Sequence, residues 1–229
     1  MNSSVWKFME IVAANHQVGP VIEFGSLQIP WMKYGQALAM PDLREFFPGI
    51  EYIGCDLKTG PGVDVVYDIL DDRNRSCLHV DDGKAKTVIA LETLEHCENP
   101  FKAVESLKRL VAQDGVIVLS TPFSHPIHQM PDYWRFTPQG MWKLLDTNEL
   151  YCRVYFQGDL ALPRTIYALA TKQESVLNKL TIEVEKRLYE LPCKSGGEAV
   201  YQWAGMPVYL KQRLANPERE SWLAEQFTF

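Results

Sequence analysis

TVIALETLEHCENPFKAVESLKRLVAQDGVIVLS, residues 87–120, carries the clearest structural pattern in this sequence. Its two apolar runs, at 87–91 and 116–120, predict strands that are covered on both faces. Between them, Asn99 and Pro100 predict the start of a helix, because Asn caps helices and Pro suits their first turn. A helix that joins two buried strands is typical of a parallel β-α-β unit.

The residues before this unit repeat the same alternation. Short apolar runs predict further strands at residues 21–24, 52–55 and 63–66. Residues 3–17 predict an amphipathic helix that ends before Pro20. Residues 31–47 predict another helix, with a break at Pro41. Strands that alternate with helices in this way indicate an open α/β sheet.

The pattern loosens after residue 120. Residues 121–138 form a predicted loop that is rich in proline, histidine and aromatic residues. Beyond it we predict a helix at 138–147, a strand at 151–156, a long helix at 163–190, a polar link at 193–200 and a strand at 206–210. The apolar side of the long helix suits either the core or the interface of a homodimer.

Composition indicates an ordinary globular protein and argues against nucleic acid and membranes as partners. The chain has 229 residues, of which 46% are hydrophobic and 23% are charged, and these values are close to the globular average. Its formal net charge of −6 argues against nucleic acid and against an anionic membrane surface, because both attract a clustered excess of basic residues.

The cysteines and the hydropathy of the chain indicate in which cellular compartment the protein is found. The five cysteines are spread at wide intervals without a C-x-x-C pair, which suits a reducing environment. No stretch approaches the ~18 apolar residues that a membrane helix needs, and the first residues lack the pattern of a secretory signal. These observations predict a cytoplasmic protein.

Acidic residues stand where the predicted strands end. Glu23, Asp56, Asp68 and Glu92 occupy or directly follow four of these strand ends, and the carboxyl ends of parallel strands form the ligand site of an open α/β sheet. Carboxylates clustered there repel one another unless a cationic or hydroxyl-rich ligand lies among them. A ribose, an exocyclic amine and a positively charged group would suit these residues.

Several of these segments together resemble class I S-adenosylmethionine-dependent methyltransferases, in particular the bacterial group called methyltransferase type 11. The matching segments are VIEFGS (21–26), EYIGCDLKTGPGVDVVYDI (51–69) and LETLEHCENPFKA (91–103). HPIHQMPDYWRFTPQGM (125–141) is similar to a loop of one subgroup. The resemblance implies a Rossmann-like, seven-stranded, mostly parallel sheet with helices on both faces and one antiparallel strand near the C-terminus.

The resemblance also implies a domain organisation and a cofactor, S-adenosylmethionine. Residues 1–19 would be an N-terminal helix, 20–145 the cofactor-binding core, and 146–229 the remainder of the same single domain. The family motifs imply contacts with the methionine part, the ribose and the adenine of the cofactor. The implied cofactor-binding residues are Glu23, Gly25, Ser26, Asp56, Leu57, Asp68, Ile69, Leu91 and Glu92. Leu27 departs from the family pattern, because it stands where the first motif has a second glycine.

Histidines are the candidate bases for the transfer, because an acceptor hydroxyl or amine needs a base with a pKa near neutrality. We predict His128, then His125, as the base, with Tyr133 and Arg135 orienting the substrate. We predict no metal site: the pair His125-x-x-His128 lies among prolines, lacks an evident third ligand and has a spacing that zinc sites do not favour.

The sequence therefore predicts a methyltransferase that acts on a small-molecule or glycan-like acceptor. Two alternatives stay open at this point. The reduced glycine motif is compatible with a catalytically inactive protein that binds S-adenosylmethionine or a nucleotide as a regulator or partner subunit. An NAD-dependent oxidoreductase is less favoured, because the chain has no G-x-G-x-x-G motif.

Overall fold

The computed structural model describes residues 3–29, 31–33, 36–38, 42–146, 149–158, 162–188 and 200–203. Its α-helices are α1 (Ser3–Asn15), α2 (Pro100–Leu110), α3 (Pro138–Leu145) and α4 (Glu174–Leu188). Its strands are β1 (Val21–Phe24), β2 (Trp31–Lys33), β3 (Gln36–Leu38), β4 (Tyr52–Asp56), β5 (Val65–Val66), β6 (Ala85–Leu91), β7 (Val111–Pro122), β8 (Tyr151–Gly158), β9 (Pro163–Thr171) and β10 (Val200–Trp203). Short 3-10 helices span Leu43–Phe46, Asp72–Leu78 and Leu94–His96.

Eight of the described strands form one sheet in the order β10-β8-β9-β7-β6-β1-β4-β5. Strands β5, β4, β1, β6 and β7 run parallel, whereas β9 is antiparallel to both of its neighbours. These strands together with β8 confirm the predicted seven-stranded arrangement. β10 adds an eighth strand, antiparallel to β8, partly within the segment predicted as a polar link.

Helices cover both faces of the sheet, as the continuous apolar strands predict. One face packs against α2 and α3 through residues such as Val104, Leu107 and Met141. The other face packs against α1 and α4, with Phe8 and Leu177 fully buried there. Because strand residues alternate between the two faces, β1, β4, β6, β7, β8 and β9 each contribute to both cores.

Local capping explains where α2 and α3 begin. The side chain of Asn99 accepts a hydrogen bond from the backbone N–H of Lys102 at 3.0 Å, directly before Pro100. Thr137 does the same for the N–H of Gly140 at 2.9 Å. Both contacts satisfy backbone donors that a helix N-terminus otherwise leaves unpaired. Phe101, in the first turn of α2, is apolar but 65% exposed.

Two of the predicted helices are wrong. The segment predicted to begin a long helix at Pro163 is strand β9, and the helix starts only at Glu174. β9 is buried along almost its whole length, and a continuous apolar run of this kind fits a buried strand as well as a buried helix. The predicted helix at 31–47 contains instead the β2–β3 hairpin and a 3-10 turn. The strand predicted at 206–210 lies outside the described residues.

None of the helices in the described ranges combines the length and the apolar character that crossing a membrane requires.

Candidate functional site

A cavity of about 400 Å³ opens at the carboxyl ends of β1, β4, β5 and β6. The chain passes from β1 to β4 on one side and later to β6 on the other, so the cavity lies at the point where the strand order reverses. Its volume is typical of a small-molecule site. The walls include six predicted cofactor residues, namely Gly25, Asp56, Leu57, Asp68, Ile69 and Glu92.

The turn after β1 brings backbone to the floor of the cavity. Gly25 has a φ of +78°, and a Cβ added there would lie 2.3 Å from Oγ1 of Thr93. Only glycine fits this position without strain or a clash. The N–H groups of Gly25 and Ser26 both donate to the carbonyl of Cys55, at 2.9 and 3.1 Å, which fixes the turn against β4.

Asp56, at the end of β4, presents its carboxylate to the same cavity. Its Oδ2 accepts a hydrogen bond from the backbone N–H of Leu27 at 3.2 Å, and its Oδ1 accepts one from Lys58 at 3.1 Å. Each carboxylate oxygen has room for a further donor. The group is therefore oriented by backbone and still able to accept hydrogen bonds from two ligand hydroxyls.

One wall is suited to a flat, partly polar ring. Leu57 is 64% exposed, and Leu27, Tyr67 and Ile69 extend the apolar surface around it. The Asp68 carboxylate, at the rim of this wall, accepts a hydrogen bond from the N–H of Leu70 at 2.8 Å. An apolar surface bordered by one acceptor fits an adenine ring and its exocyclic amine.

Glu92 supplies a carboxylate on the opposite side, after β6. Its φ is +51°, an uncommon value for a side chain of this size. The hydroxyl of Ser120 donates to its Oε1 at 3.0 Å. Burial raises the pKa of Glu92, so a cationic ligand group nearby would favour its charged form.

The three remaining predicted cofactor residues, Glu23, Ser26 and Leu91, are buried and do not line the cavity. Leu91 belongs to the core on the α1 and α4 face. Glu23 accepts a hydrogen bond from the Tyr52 hydroxyl at 2.7 Å, and burial raises its pKa to about 7. These residues support the floor from beneath.

The cavity's second wall comes from the segment after β7. Gln129, Met130, Pro131 and Tyr133 line it, facing the turn after β6. The carbonyl of Glu95 accepts hydrogen bonds from the N–H groups of Tyr133 and Trp134, at 2.8 and 3.2 Å. The indole N–H of Trp134 also donates to the Cys97 carbonyl at 2.8 Å. This segment, 125–137, is thus fixed to residues 94–97.

Asp132 organises the segment from within. Its side chain is fully buried and binds the Arg135 guanidinium through both oxygens, at 2.5 and 2.7 Å. It also accepts a hydrogen bond from the backbone N–H of His128 at 2.9 Å. The hydrogen bonds from Arg135 hold the pKa of Asp132 well below its usual range. Arg135, predicted to orient the substrate, is therefore engaged with its own segment.

Beside this wall lies a group that we call the Glu95 cluster, formed by Glu95, His96 and His128. Nε2 of His96 is 3.7 Å and Nε2 of His128 is 4.0 Å from Oε1 of Glu95. The Glu95 side chain is fully buried, neither of its oxygens has a hydrogen-bond partner among the described residues, and burial raises its pKa well above its usual value. Burial lowers the pKa of His128.

Of the predicted catalytic residues, Tyr133 lines the cavity, while His125, His128 and Arg135 lie behind it. The His125 and His128 rings are 4.8 Å apart. Glu95 and Asp132 are not among the residues predicted from the sequence. At Glu95 the only local signal is an acid next to a histidine, because His128 and Pro131, which lie beside Glu95 and His96, are more than 30 residues further along the chain.

The residues of the cavity fit the cofactor that the sequence resemblance implies. The glycine turn leaves room for close approach, Asp56 can accept from ribose hydroxyls, and the Leu57 wall with Asp68 suits adenine. Glu92 adds negative charge on the side left for the sulfonium and amino groups.

Comparison with solved structures shows the same fold. The YcgJ protein from Bacillus subtilis matches with a TM-score of 0.53 at 11% identity, over 76% of this chain and 100% of that one. The CurJ carbon methyltransferase matches with a TM-score of 0.51 at 15% identity, over 76% of this chain and 56% of that one. The DhpI–SAH complex matches with a TM-score of 0.50 at 17% identity, over 75% and 85%.

Family comparison assigns the class. No curated protein matches the chain. The family described as "Methyltransferase domain" matches residues 8–153, which confirms the methyltransferase prediction over the dehydrogenase alternative. Because this match includes both walls of the cavity, the chain belongs to the methyltransferase-domain family and is an enzyme of the S-adenosylmethionine-dependent class.

Proposed function

We propose that this enzyme methylates a small-molecule or glycan-like acceptor that enters between the two walls of the cavity. The observation that carries the proposal is the difference in residues between the two walls. One wall has the strand-end residues suited to the cofactor, and the other has Tyr133, with the histidines of segment 125–137 behind it. An acceptor between them would meet the reactive end of the cofactor directly.

The cofactor side is proposed to act by positioning. Gly25, Asp56, Leu57, Asp68, Ile69 and Glu92 would contact S-adenosylmethionine, and Glu23, Ser26 and Leu91 would support those contacts from beneath. When bound, the cofactor supplies a methyl group whose carbon bonds to the acceptor while the sulfur retains the electron pair of the broken bond. Holding the two reactants in line and excluding water accounts for much of the acceleration in such a reaction.

The acceptor side is proposed to hold the group being methylated and to remove its proton. Tyr133 is 54% exposed at the mouth of the cavity and can orient an acceptor by ring contact or hydrogen bond. We propose that proton removal depends on His128, with His125 beside it as the second candidate. Arg135 contributes by fixing segment 125–137 through Asp132.

Calorimetric titration with S-adenosylhomocysteine tests the cofactor side. We expect Asp56→Ala to weaken binding at least about tenfold, because two charge-assisted hydrogen bonds to the ribose are lost. His128→Gln is the matched control, since it alters the opposite wall and should keep the wild-type affinity. Incubation with a methyl-labelled donor and a fractionated metabolite extract then tests transfer, which His128→Gln should reduce.

The outcomes separate the alternatives. If wild-type protein does not bind S-adenosylhomocysteine, the proposed cofactor site is wrong. If it binds but never transfers methyl to any fraction, the inactive regulatory protein becomes the better account. Equal transfer by His128→Gln and wild type would remove His128 from the mechanism.

A further inference from the structure

We propose that the Glu95 cluster binds a divalent transition-metal ion at the acceptor side of the cavity. Two imidazole nitrogens and one carboxylate are a ligand set that suits zinc and related ions. The three candidate ligand atoms all lie within 4.8 Å of one another. This differs from the expectation drawn from the sequence, where only His125 and His128 were considered and no third ligand was evident.

Each histidine has its second nitrogen close to an acceptor. Nδ1 of His96 is 2.6 Å from the carbonyl oxygen of Pro131. A carbonyl can only accept, so Nδ1 carries the proton and Nε2 keeps its lone pair towards Glu95. Nδ1 of His128 lies 3.3 Å from Oδ2 of Asp132 without a hydrogen bond in the present geometry. Histidines that bind metals nearly always donate their other ring N–H to a carbonyl or carboxylate, as His96 does here.

The surroundings of the Glu95 carboxylate supply an independent argument for a bound metal ion. Its carboxylate is fully buried, and neither oxygen finds a donor among the described residues. Buried polar groups without partners are rare and commonly mark a missing ion or water. The nearest cationic side chain, Arg135, is already bound to Asp132. A metal ion between the two Nε2 atoms and Glu95 would supply the missing positive charge.

To bind an ion, the two histidine nitrogens need to move only a short distance toward the Glu95 carboxylate. A tetrahedral ion with bonds of about 2.0–2.1 Å places its ligand atoms about 3.3 Å apart. The two distances to Glu95, 3.7 and 4.0 Å, are already close to that value. The imidazoles of His96 and His128 are 23% and 28% exposed, so they have freedom to rotate inward while the buried carboxylate stays fixed.

The site has a chemical use that rests on the proposed function. Three protein ligands leave at least one coordination position open, as in catalytic rather than structural zinc sites. His96 lines the cavity, so that position can face an acceptor. A divalent ion lowers the pKa of a hydroxyl that it coordinates. The dependence of proton removal on His128 would then arise from ligation of the ion.

Titration of the full chain with Zn²⁺, after treatment with a chelator, tests the proposal by calorimetry. We expect one ion per chain, and His96→Gln to weaken binding about 100-fold or more, since even outer-shell changes cost 10- to 100-fold. Co²⁺ provides a second measurement, because a site with few ligands gives it a strong visible absorption. Glu95→Gln should reduce both signals, and its thermal unfolding is measured to establish that it folds.

The control is His79→Gln, which removes an exposed histidine and should leave Zn²⁺ affinity unchanged. Wild-type binding no tighter than that of His96→Gln would overturn the metal site, as would a Co²⁺ spectrum that is the same in both proteins. S-adenosylhomocysteine is titrated into the same samples. If the wild-type protein binds S-adenosylhomocysteine but no metal ion, only the metal site is refuted. If it does not bind S-adenosylhomocysteine, the proposed function is refuted.

Discussion

Glu23 shows how one buried residue can link stability to pH. It lies in the middle of β1, 7% exposed, with the Tyr52 hydroxyl 2.7 Å from its carboxylate. Burial raises its pKa to about 7, while in the unfolded chain a glutamate titrates near 4.3. The folded state therefore retains a proton that the unfolded state releases between these two values.

We expect the free energy of unfolding to fall as pH rises from about 4.5 to about 7, by roughly 3 kcal/mol from this group alone. The contribution is fully present below the unfolded pKa and lost above the folded one. Glu23→Gln stays neutral and should remove this slope. Urea unfolding at pH 5, 6, 7 and 8 measures it, with the exposed Glu51→Gln as control. Parallel pH curves for Glu23→Gln and wild type would contradict the prediction.

Residues of the site differ in how far the sequence alone identifies them. Gly25 and Asp56 directly follow or end strands with clear apolar patterns, so their position at the cavity follows from the sheet. Leu91 ends such a strand too, but its side chain falls on the α1 and α4 face. Glu95 acquires its surroundings only when segment 125–137 folds back on residues 94–97, and no local pattern predicts that contact.

At the scale of elements, α2 shows a boundary that local chemistry sets. The Asn99 side chain caps its first turn, and the helix then packs Val104 and Leu107 against the sheet. Its Ser106 hydroxyl also donates to the carbonyl of Ile69 at 2.8 Å, beside the cavity wall that contains Leu57. α2 therefore contributes to keeping that wall in place.

Asn99→Ala should lower the free energy of unfolding by about 1 kcal/mol, because one backbone N–H loses its acceptor. Urea unfolding at neutral pH measures the change. Lys102→Ala, an exposed substitution in the same helix, should stay within about 0.5 kcal/mol of wild type. A cost at Asn99 no larger than at Lys102 would show that the cap does not stabilise this helix.

β9 shows where element prediction fails. Residues 166–170 are continuously apolar, and Pro163 can begin either a helix or a strand. The pairing with β7 on one side and β8 on the other decides for a strand. β8 directly precedes β9 in the sequence, but β7 lies far from it, and periodicity within a short apolar run does not reveal that pairing.

At the scale of the whole molecule, segment 125–137 connects the acceptor side to the sheet. Asp132 holds Arg135 and the His128 backbone, while Tyr133 and Trp134 bind the carbonyl of Glu95. The candidate base, the proposed metal ligands and one cavity wall thus depend on the same set of contacts. Removing any of these contacts should therefore alter the positions of the candidate base, the proposed metal ligands and the wall together.

Asp132→Asn tests this dependence by hydrogen exchange. Loss of the buried charge pair should speed exchange at the amides of Tyr133 and Trp134 about 10- to 100-fold, as expected from hydrogen bonds to charged groups worth about 1.5–3 kcal/mol. Amides of β6 should be unaffected. The control, Asp82→Asn, removes an exposed pair with Arg75. Unchanged exchange at both amides in Asp132→Asn would mean that Asp132 does not fix the segment.

The outer strands at the two ends of the sheet affect the tendency of the protein to aggregate at high concentration. β5 has only two residues, and at the opposite end the four-residue β10 pairs with half of the eight-residue β8. Long exposed edge strands offer rows of unpaired N–H and C=O groups on which other chains can add, and short ones limit this aggregation. The brevity of β5 therefore limits strand addition at that end of the sheet.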